Sequence, residues 1–292
     1  MTEFRLEILG SGGAFGTPRP GCQCILCQGA REHGIPWLRT GPSVFVHGPN
    51  ILIDTPEESM RQLDRSSVGE IAAAFYSHWH PDHTAGRRVF EMRNWDTNGL
   101  PPENLCTPVY LPPKVAEDFE EQLGLAENFR YLANLGLVDL HRFDAPLTFG
   151  GWRVTPVLLD IGYVYGYLFE EEINDGSTPR RALICMDELV GWAPPAFLQG
   201  VDFLYLPAGV FEFHPLSGER LIPLGHPVLQ SEATFLQTLE IIEQIQPKRI
   251  VFGHLEEPFS VTPAEYEQLA ANLRAQRGWD VTFACDTLVL EL

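Results

Sequence analysis

The sequence predicts an α/β or α+β chain. Three observations lead there: short apolar runs of strand composition dominate the first part, similar runs alternate with helix-patterned segments towards the end, and Gly, Pro and Asn punctuate the joins. Residues 4–9 open the chain as a short alternating strand. Residues 43–47 and 51–54 follow as strands, joined by Gly48, Pro49 and Asn50, a turn signal that predicts a hairpin. Further strands are expected at 72–77, 152–159, 164–170, 181–186 and 203–206. Phe235, Leu236, Leu239, Ile242 and Ile245 recur at helical spacing behind Ser231 as a cap, and Gln246 with Pro247 ends that helix before a strand at 249–253. Residues 264–277 read as another helix, with Thr262 as its cap and Pro263 at its first position. Residues 281–292 read as a closing hairpin around Cys285 and Asp286. The Pro-rich stretch 96–113 and the acidic stretch 170–181, with Asn174, Asp175 and Gly176, read as surface loops.

At 292 residues, 45% hydrophobic and 20% charged, the chain is long enough to bury a sizeable core, and a single domain over 1–292 is expected. A net charge of −19 works against a long polyanionic partner. Lys114 and Lys248 are the only lysines, and the arginine pairs Arg87-Arg88 and Arg180-Arg181 read as solvated surface. Long nucleic acids are therefore disfavoured as partners. With no basic and apolar signal segment at the start and no apolar run of membrane-spanning length, a cytoplasmic location and no membrane partner are expected. Three of the six cysteines crowd into positions 22–27, a spacing better explained by thiolate ligands than by disulfides.

The most informative segment follows the apolar run 71–76. His78, His80, Asp82 and His83 set three imidazoles and a carboxylate within six positions. On an extended strand end, His78 and His80 point to the same side and can share one ion. Asp82 and His83 fall on the turn after Pro81, within reach of a second ion. Cys22, Cys24 and Cys27 supply three more ligand directions, suited to one soft ion, with the fourth donor coming from elsewhere; zinc is the natural structural occupant.

The unbroken His-x-His-x-Asp-His pattern at 78–83 resembles the metallo-β-lactamase superfamily. Leu9-Gly10-Ser11-Gly12-Gly13-Ala14, followed by Pro20-Gly21-Cys22-Gln23-Cys24-Ile25-Leu26-Cys27, narrows the resemblance to the PhnP-like phosphodiesterase branch and, more distantly, the PqqB proteins. The resemblance implies an αββα sandwich and two divalent ions, of zinc, manganese or iron, in the active site. It places Asp187, after the apolar run 182–186, as the carboxylate bridging both ions, and His254, after 250–253, as the last histidine ligand. Where relatives carry a third histidine for the first ion, this chain has Asp160, whose negative charge would make the ion a weaker Lewis acid; a turn-capping Asp160 is the competing expectation. The fourth ligand of the cysteine cluster falls on Glu257, where the family has histidine, with Glu256 and His33 as alternatives. His226 matches the family's non-ligand catalytic histidine, and His214 is the other candidate.

Together these readings imply a dinuclear metal-dependent hydrolase in which Asp82 and Asp187 position a metal-activated water and His226 assists the leaving group. Small or cyclic phosphodiesters are the expected substrates. A lactone or thioester hydrolase with the same centre is the alternative, with Trp37, Trp95, Trp192 and the aromatic stretch 162–167 as candidate pocket walls or core. A third reading is a non-hydrolytic, PqqB-like carrier of a small metabolite. A homodimer is compatible with each.

Overall fold

Strands that are apolar at every position need cover on both faces, and each sheet of this protein receives it from the other sheet on one side and from helices on the other. The computed structural model describes residues 3–159, 162–173 and 176–292. Asp160, Asn174 and Asp175, named above, lie outside the described residues. The first sheet holds β1 (Arg5–Gly10), β2 (Ser43–His47), β3 (Ile51–Ile53), β4 (Ala73–Phe75), β5 (Thr107–Leu111) and β6 (Val138–Arg142). The second holds β7 (Leu147–Phe149), β8 (Trp152–Leu158), β9 (Tyr165–Glu171), β10 (Arg181–Cys185), β11 (Phe203–Pro207), β12 (Arg249–Gly253) and β13 (Asp280–Phe283). β14 (Val289–Glu291) returns to the first sheet beside β1, so each sheet has seven strands among the described residues.

Period-two alternation divides the side chains between three apolar layers. Val44, Val46, Ile51, Ile53, Val154, Phe169, Ala182 and Ile184 meet between the sheets. Phe45, Leu52, Ala74 and Val109 face outward from the first sheet, under helices α4 (Val89–Asn94), α5 (Pro113–Glu121) and α6 (Leu125–Asn134), which follow α1 (Ile25–His33), α2 (Ser59–Asp64) and α3 (Pro81–Thr84) in the chain. Leu183, Leu204, Ile250 and Phe252 face outward from the second sheet, under α8 (Phe235–Ile245) and α9 (Pro263–Arg277), with the short α7 (Val228–Ser231) ahead of them. This is the αββα sandwich. No helix among the described residues is long and apolar enough to cross a membrane.

Within each sheet an antiparallel part gives way to a parallel run: β3, β4, β5 and β6 in the first, and β10, β11, β12 and β13 in the second. Parallel strands end at a common edge, and segments leaving their carboxyl ends gather there. The expected β2–β3 hairpin is present, turning through Gly48 and Asn50 at φ 97° and 56°.

Three expectations at the level of elements are corrected. The cap of α8 is Thr234, not Ser231: its hydroxyl accepts the Gln237 N–H while the Gln237 side chain returns to the Thr234 N–H, and Ser231 instead ends α7. The closing segment is no hairpin, because β13 pairs in parallel with β12 while β14 pairs antiparallel with β1 in the other sheet. The stretch 96–113 contains β5, and the amphipathic helices α1, α5 and α6 are additions to the elements expected. α9 begins as expected, with Thr262 and Glu265 forming a reciprocal cap and Pro263 at its first position.

The crossing between β13 and β14 is held by Asp286, fully buried. Its carboxylate accepts from Ser11 N (2.8 Å), Ser11 Oγ (2.7 Å), Thr40 N (3.0 Å) and Thr40 Oγ1 (2.6 Å), and pairs with Arg65. One carboxylate thereby ties both sheets to the loop after β1. Asp286→Asn, which keeps the volume but removes the charge facing Arg65, is expected to lower unfolding free energy by about 3 kcal/mol in urea titration.

Candidate metal centre

Four chain segments deliver side chains to the common sheet edge. The segment after β4 brings His78 and His80, α3 brings Asp82 and His83, Asp187 follows β10 after one residue, and His254 follows β12. Pro81 at the first position of α3 turns Asp82 and His83 inward, and His254 takes a positive φ of 50° to leave its strand.

The ligand-type atoms fall into two groups, His78, His80 and Asp187, and Asp82, His83 and His254, each within 4.8 Å. Asp187 lies between them. Its Oδ2 is 3.2 Å from His78 Nε2 and 3.6 Å from His83 Nε2, and its Oδ1 is 3.3 Å from His254 Nε2. Asp82 Oδ2 stands 3.3 Å from His83 Nε2 and 3.8 Å from His254 Nε2. Tyr163 packs over the first group, its ring centre 5.6 Å from that of His80.

The residues behind these rings settle their tautomers. Asp54 Oδ2 accepts from His83 Nδ1 (2.7 Å) and from Ser77 Oγ (2.6 Å), and Oδ1 accepts from Ser77 N (2.8 Å). Having donated its proton to Asp54, Ser77 Oγ is left to accept from His78 Nδ1 at 3.0 Å. Both rings then present an Nε2 lone pair to the interior. Among the described residues, the Nε2 atoms of His78, His83 and His254 are buried with no hydrogen-bond partner, a costly arrangement unless a cation binds there. The donor set fits two divalent ions. Asp54 was not singled out by motif reading; its signal was an acidic residue directly after an apolar strand, here at φ 61°.

The electrostatics reflect this crowding. Burial opposes ionisation of Asp187 and Asp82, yet the histidines facing them hold both carboxyls far below the usual range. Burial also opposes the charged form of His254, but Asp187 and Asp82 raise its pKa to about 9. His80, losing solvent and facing His78, is lowered to about 4.

A second group lies beside this centre. Glu257 Oε1 is 3.2 Å from Cys22 Sγ, 2.9 Å from Cys24 Sγ and 3.4 Å from Cys27 Sγ, so all four donors face one point. Cys24 caps α1 and Cys27 lies in its first turn, which places the two thiols together. Burial pushes the Cys27 thiol up to about 12, and a soft cation is what would favour its thiolate. Of the alternative fourth donors, His33 is exposed and faces Glu32, and Glu256 points elsewhere, accepting Ala14 N and Phe15 N at 3.0 Å each. That leaves Gly13 against the centre: a Cβ there would stand 2.3 Å from Glu256 Oε1 and 2.5 Å from the His254 ring.

His226 lines a cavity of about 390 Å³ that opens on His80, Asp82, Asp187 and His254, and its Nδ1 accepts Val228 N at 3.2 Å. His214 does not reach this cavity; its Nδ1 accepts from Leu216 N and Ser217 N, and Nε2 faces Glu265. Of the aromatic candidates, Tyr163 stands beside His78 and His80, Tyr165, Tyr167 and Trp192 are buried core, Trp37 packs under α1 and Trp95 is exposed.

The beta-lactamase superfamily domain model matches residues 49–255. Among solved structures, a diphosphatase from the PhnP family is similar at 25% identity and a TM-score of 0.69, covering 99% of this chain and 98% of that one. Zn²⁺-bound PqqB from Methylobacterium extorquens is similar at 19% identity and a TM-score of 0.70, covering 99% and 100%, a likeness of fold. An octanoyltransferase of Porphyromonas gingivalis is 32% identical over 86 residues, 28% of this chain, so the match spans only 17% of that relative's length.

Metal analysis by mass spectrometry is expected to find about three divalent ions per chain, one lost in Cys24→Ala and the other two weakened in Asp187→Ala. Asp54→Ala is expected to weaken uptake at the dinuclear centre by about 10- to 100-fold in competition titrations. The chelator-treated protein should lose stability as pH rises. His254 has a folded pKa raised from 6.5 to about 9, so its contribution is full below 6.5 and gone above about 9. Glu256, raised by burial from 4.5 to about 7, acts in the same direction between those values. Thermal unfolding at pH 6 and pH 9 measures this, and a flat profile would contradict it.

Proposed function

Because the chain belongs to the beta-lactamase superfamily, we propose that it is a metal-dependent hydrolase of small or cyclic phosphodiesters. The observation that carries this reading is Asp187, set between two groups of candidate ligands whose buried Nε2 atoms on His78, His83 and His254 have no hydrogen-bond partner among the described residues. The choice of a phosphoryl substrate over a carbonyl ester is supported by the likeness over nearly the whole chain to a diphosphatase of the PhnP family, and the choice of diesters by the motif resemblance at 9–27 and 78–83.

Two divalent ions held by His78, His80 and Asp187 and by Asp82, His83 and His254, with Asp160 proposed as a further donor to the first, would lower the pKa of a water and offset charge on the phosphoryl group. Asp82 and Asp187, ionised against the surrounding histidines, orient that water. Asp54 and Ser77 keep His83 and His78 in the donor tautomer throughout. His226 lines the same cavity, and with Nδ1 occupied by the Val228 N–H its Nε2 is the nitrogen left to carry a proton to the departing oxygen. The Cys22, Cys24, Cys27 and Glu257 group would hold a structural zinc that pins the loop beside the centre. The setting proposed for this activity is the cytosol, with a small molecule as substrate.

The test compares bis(p-nitrophenyl) phosphate and an acyl thioester on metal-loaded protein. Diester turnover should exceed thioester turnover, fall by about 10²-fold or more in kcat for His226→Ala, and vanish for His80→Ala. Faster thioester turnover would move the reading to carbonyl esters. Undiminished cellular function of His80→Ala would move it to a non-hydrolytic carrier.

A further inference from the structure

The cavity beside the candidate metal centre is chemically lopsided. Its lining joins the candidate ligands His80, Asp82, Asp187 and His254 to an apolar set, Leu189, Val210, Leu221, Ile222 and Phe259. Leu189, Val210, Ile222 and Phe259 are all buried, so the apolar wall is part of the outer core of the second sheet, fixed before any ligand enters. Among the described residues lining the cavity there is no Lys, Arg, Ser, Thr, Asn, Gln or Tyr.

The polar groups in the wall beyond the candidate ligands are Glu188, Glu232, Glu256 and His226. Two of these are engaged in holding the protein together: Glu188 accepts from Val190 N and from Ala233 N at 2.9 Å, and Glu256 accepts from Ala14 N and Phe15 N. An anionic substituent would meet carboxyl groups and, among the described residues, no lysine or arginine. A substituent rich in hydroxyls would meet few free partners, and burying it would leave its own groups unpaired. An alkyl or aryl group, in contrast, would replace water on apolar surface at no such cost.

We infer that the substrate is a monoanionic ester with its charged phosphoryl group at the metal end and one uncharged, apolar alkyl or aryl substituent in the cavity of Leu189, Val210, Leu221, Ile222 and Phe259. This rests on the phosphodiesterase reading for the identity of the charged group, and on the cavity alone for the apolar one. It selects, within small phosphodiesters, against nucleotides and other substrates that carry a second charge.

The experiment is calorimetric binding of methyl-, butyl- and octylphosphonate, and of an ω-carboxyheptylphosphonate, to metal-loaded protein, alongside hydrolysis of the matching p-nitrophenyl alkyl phosphates. Affinity should rise by about fourfold per methylene, the value of a buried CH₂, until the cavity is filled. The terminal carboxylate should cancel most of that gain. In Leu221→Lys, which puts a cation at the partly exposed side of the wall, the preference between the octyl and carboxyheptyl ligands should narrow or reverse. Affinity independent of chain length, or equal binding of the octyl and carboxyheptyl ligands, would overturn the inference. Chain-length-dependent binding with no hydrolysis of any diester would keep the apolar subsite and overturn the phosphodiesterase reading, and with it the identity of the charged group.

Discussion

Asp187 must face histidines on two sides at once, and the arrangement of the active edge follows from that demand. Its two oxygens lie 3.2 Å from His78 Nε2 and 3.3 Å from His254 Nε2, nitrogens that reach it from different sheets. A carboxylate so enclosed is stable only while positive charge surrounds it, from protons on the histidines or from metal ions that replace them. The same balance holds Asp82 ionised and His254 protonated when no cation is present. Folding therefore builds a site whose electrostatic cost is relieved by cation binding.

The sandwich meets this demand through strand direction. β4, β10 and β12 run to the same edge, so short extensions beyond each strand are enough to bring the donors within a few ångströms. Precision is added from behind. Asp54 and Ser77 fix the rings of His83 and His78, and Gly13 lets the loop after β1 pass against His254 where a side chain has no room. Asp286 anchors the start of that loop through Ser11, while Glu256 takes its far end through Ala14 and Phe15.

Glu256 and Glu257 show how adjacent residues can join two sites. Glu256 lies between the loop and His254, and Glu257 turns to the three thiols at the start of α1. Any cation held by the cysteine cluster is thus connected to the last histidine of the dinuclear centre through three residues of backbone. The apolar part of the cavity beside the centre is built from the outer core of the second sheet, so one packing layer both supports β11 and β12 and shapes the space beside the reacting groups.

The sequence by itself determined the chemistry of the site and most of the strands. His78, His80, Asp82 and His83 are local in the chain, so their spacing alone brings four donors together, and short runs of strand composition mark β2, β8, β10 and β12 with little error at their ends. The cap at Thr262 was equally legible, because a single turn of chain contains it; the returning bond from Glu265 is seen only in the structure. Tertiary structure alone decided what depends on distant partners. β13 and β14 read as a hairpin because local pattern does not specify which sheet a strand joins; buried Asp286, holding Ser11, Thr40 and Arg65, sends them apart. Asp54 looks like any acid after a strand until His83 and Ser77 are seen against it, and the choice of Glu257 over His33 is a matter of which carboxylate or ring the folded loop turns towards the thiols. The walls of the cavity could not be read from the aromatic stretch near Tyr163, because aromatic residues are drawn equally to core and to pocket, and only packing between sheet and helix separates the two.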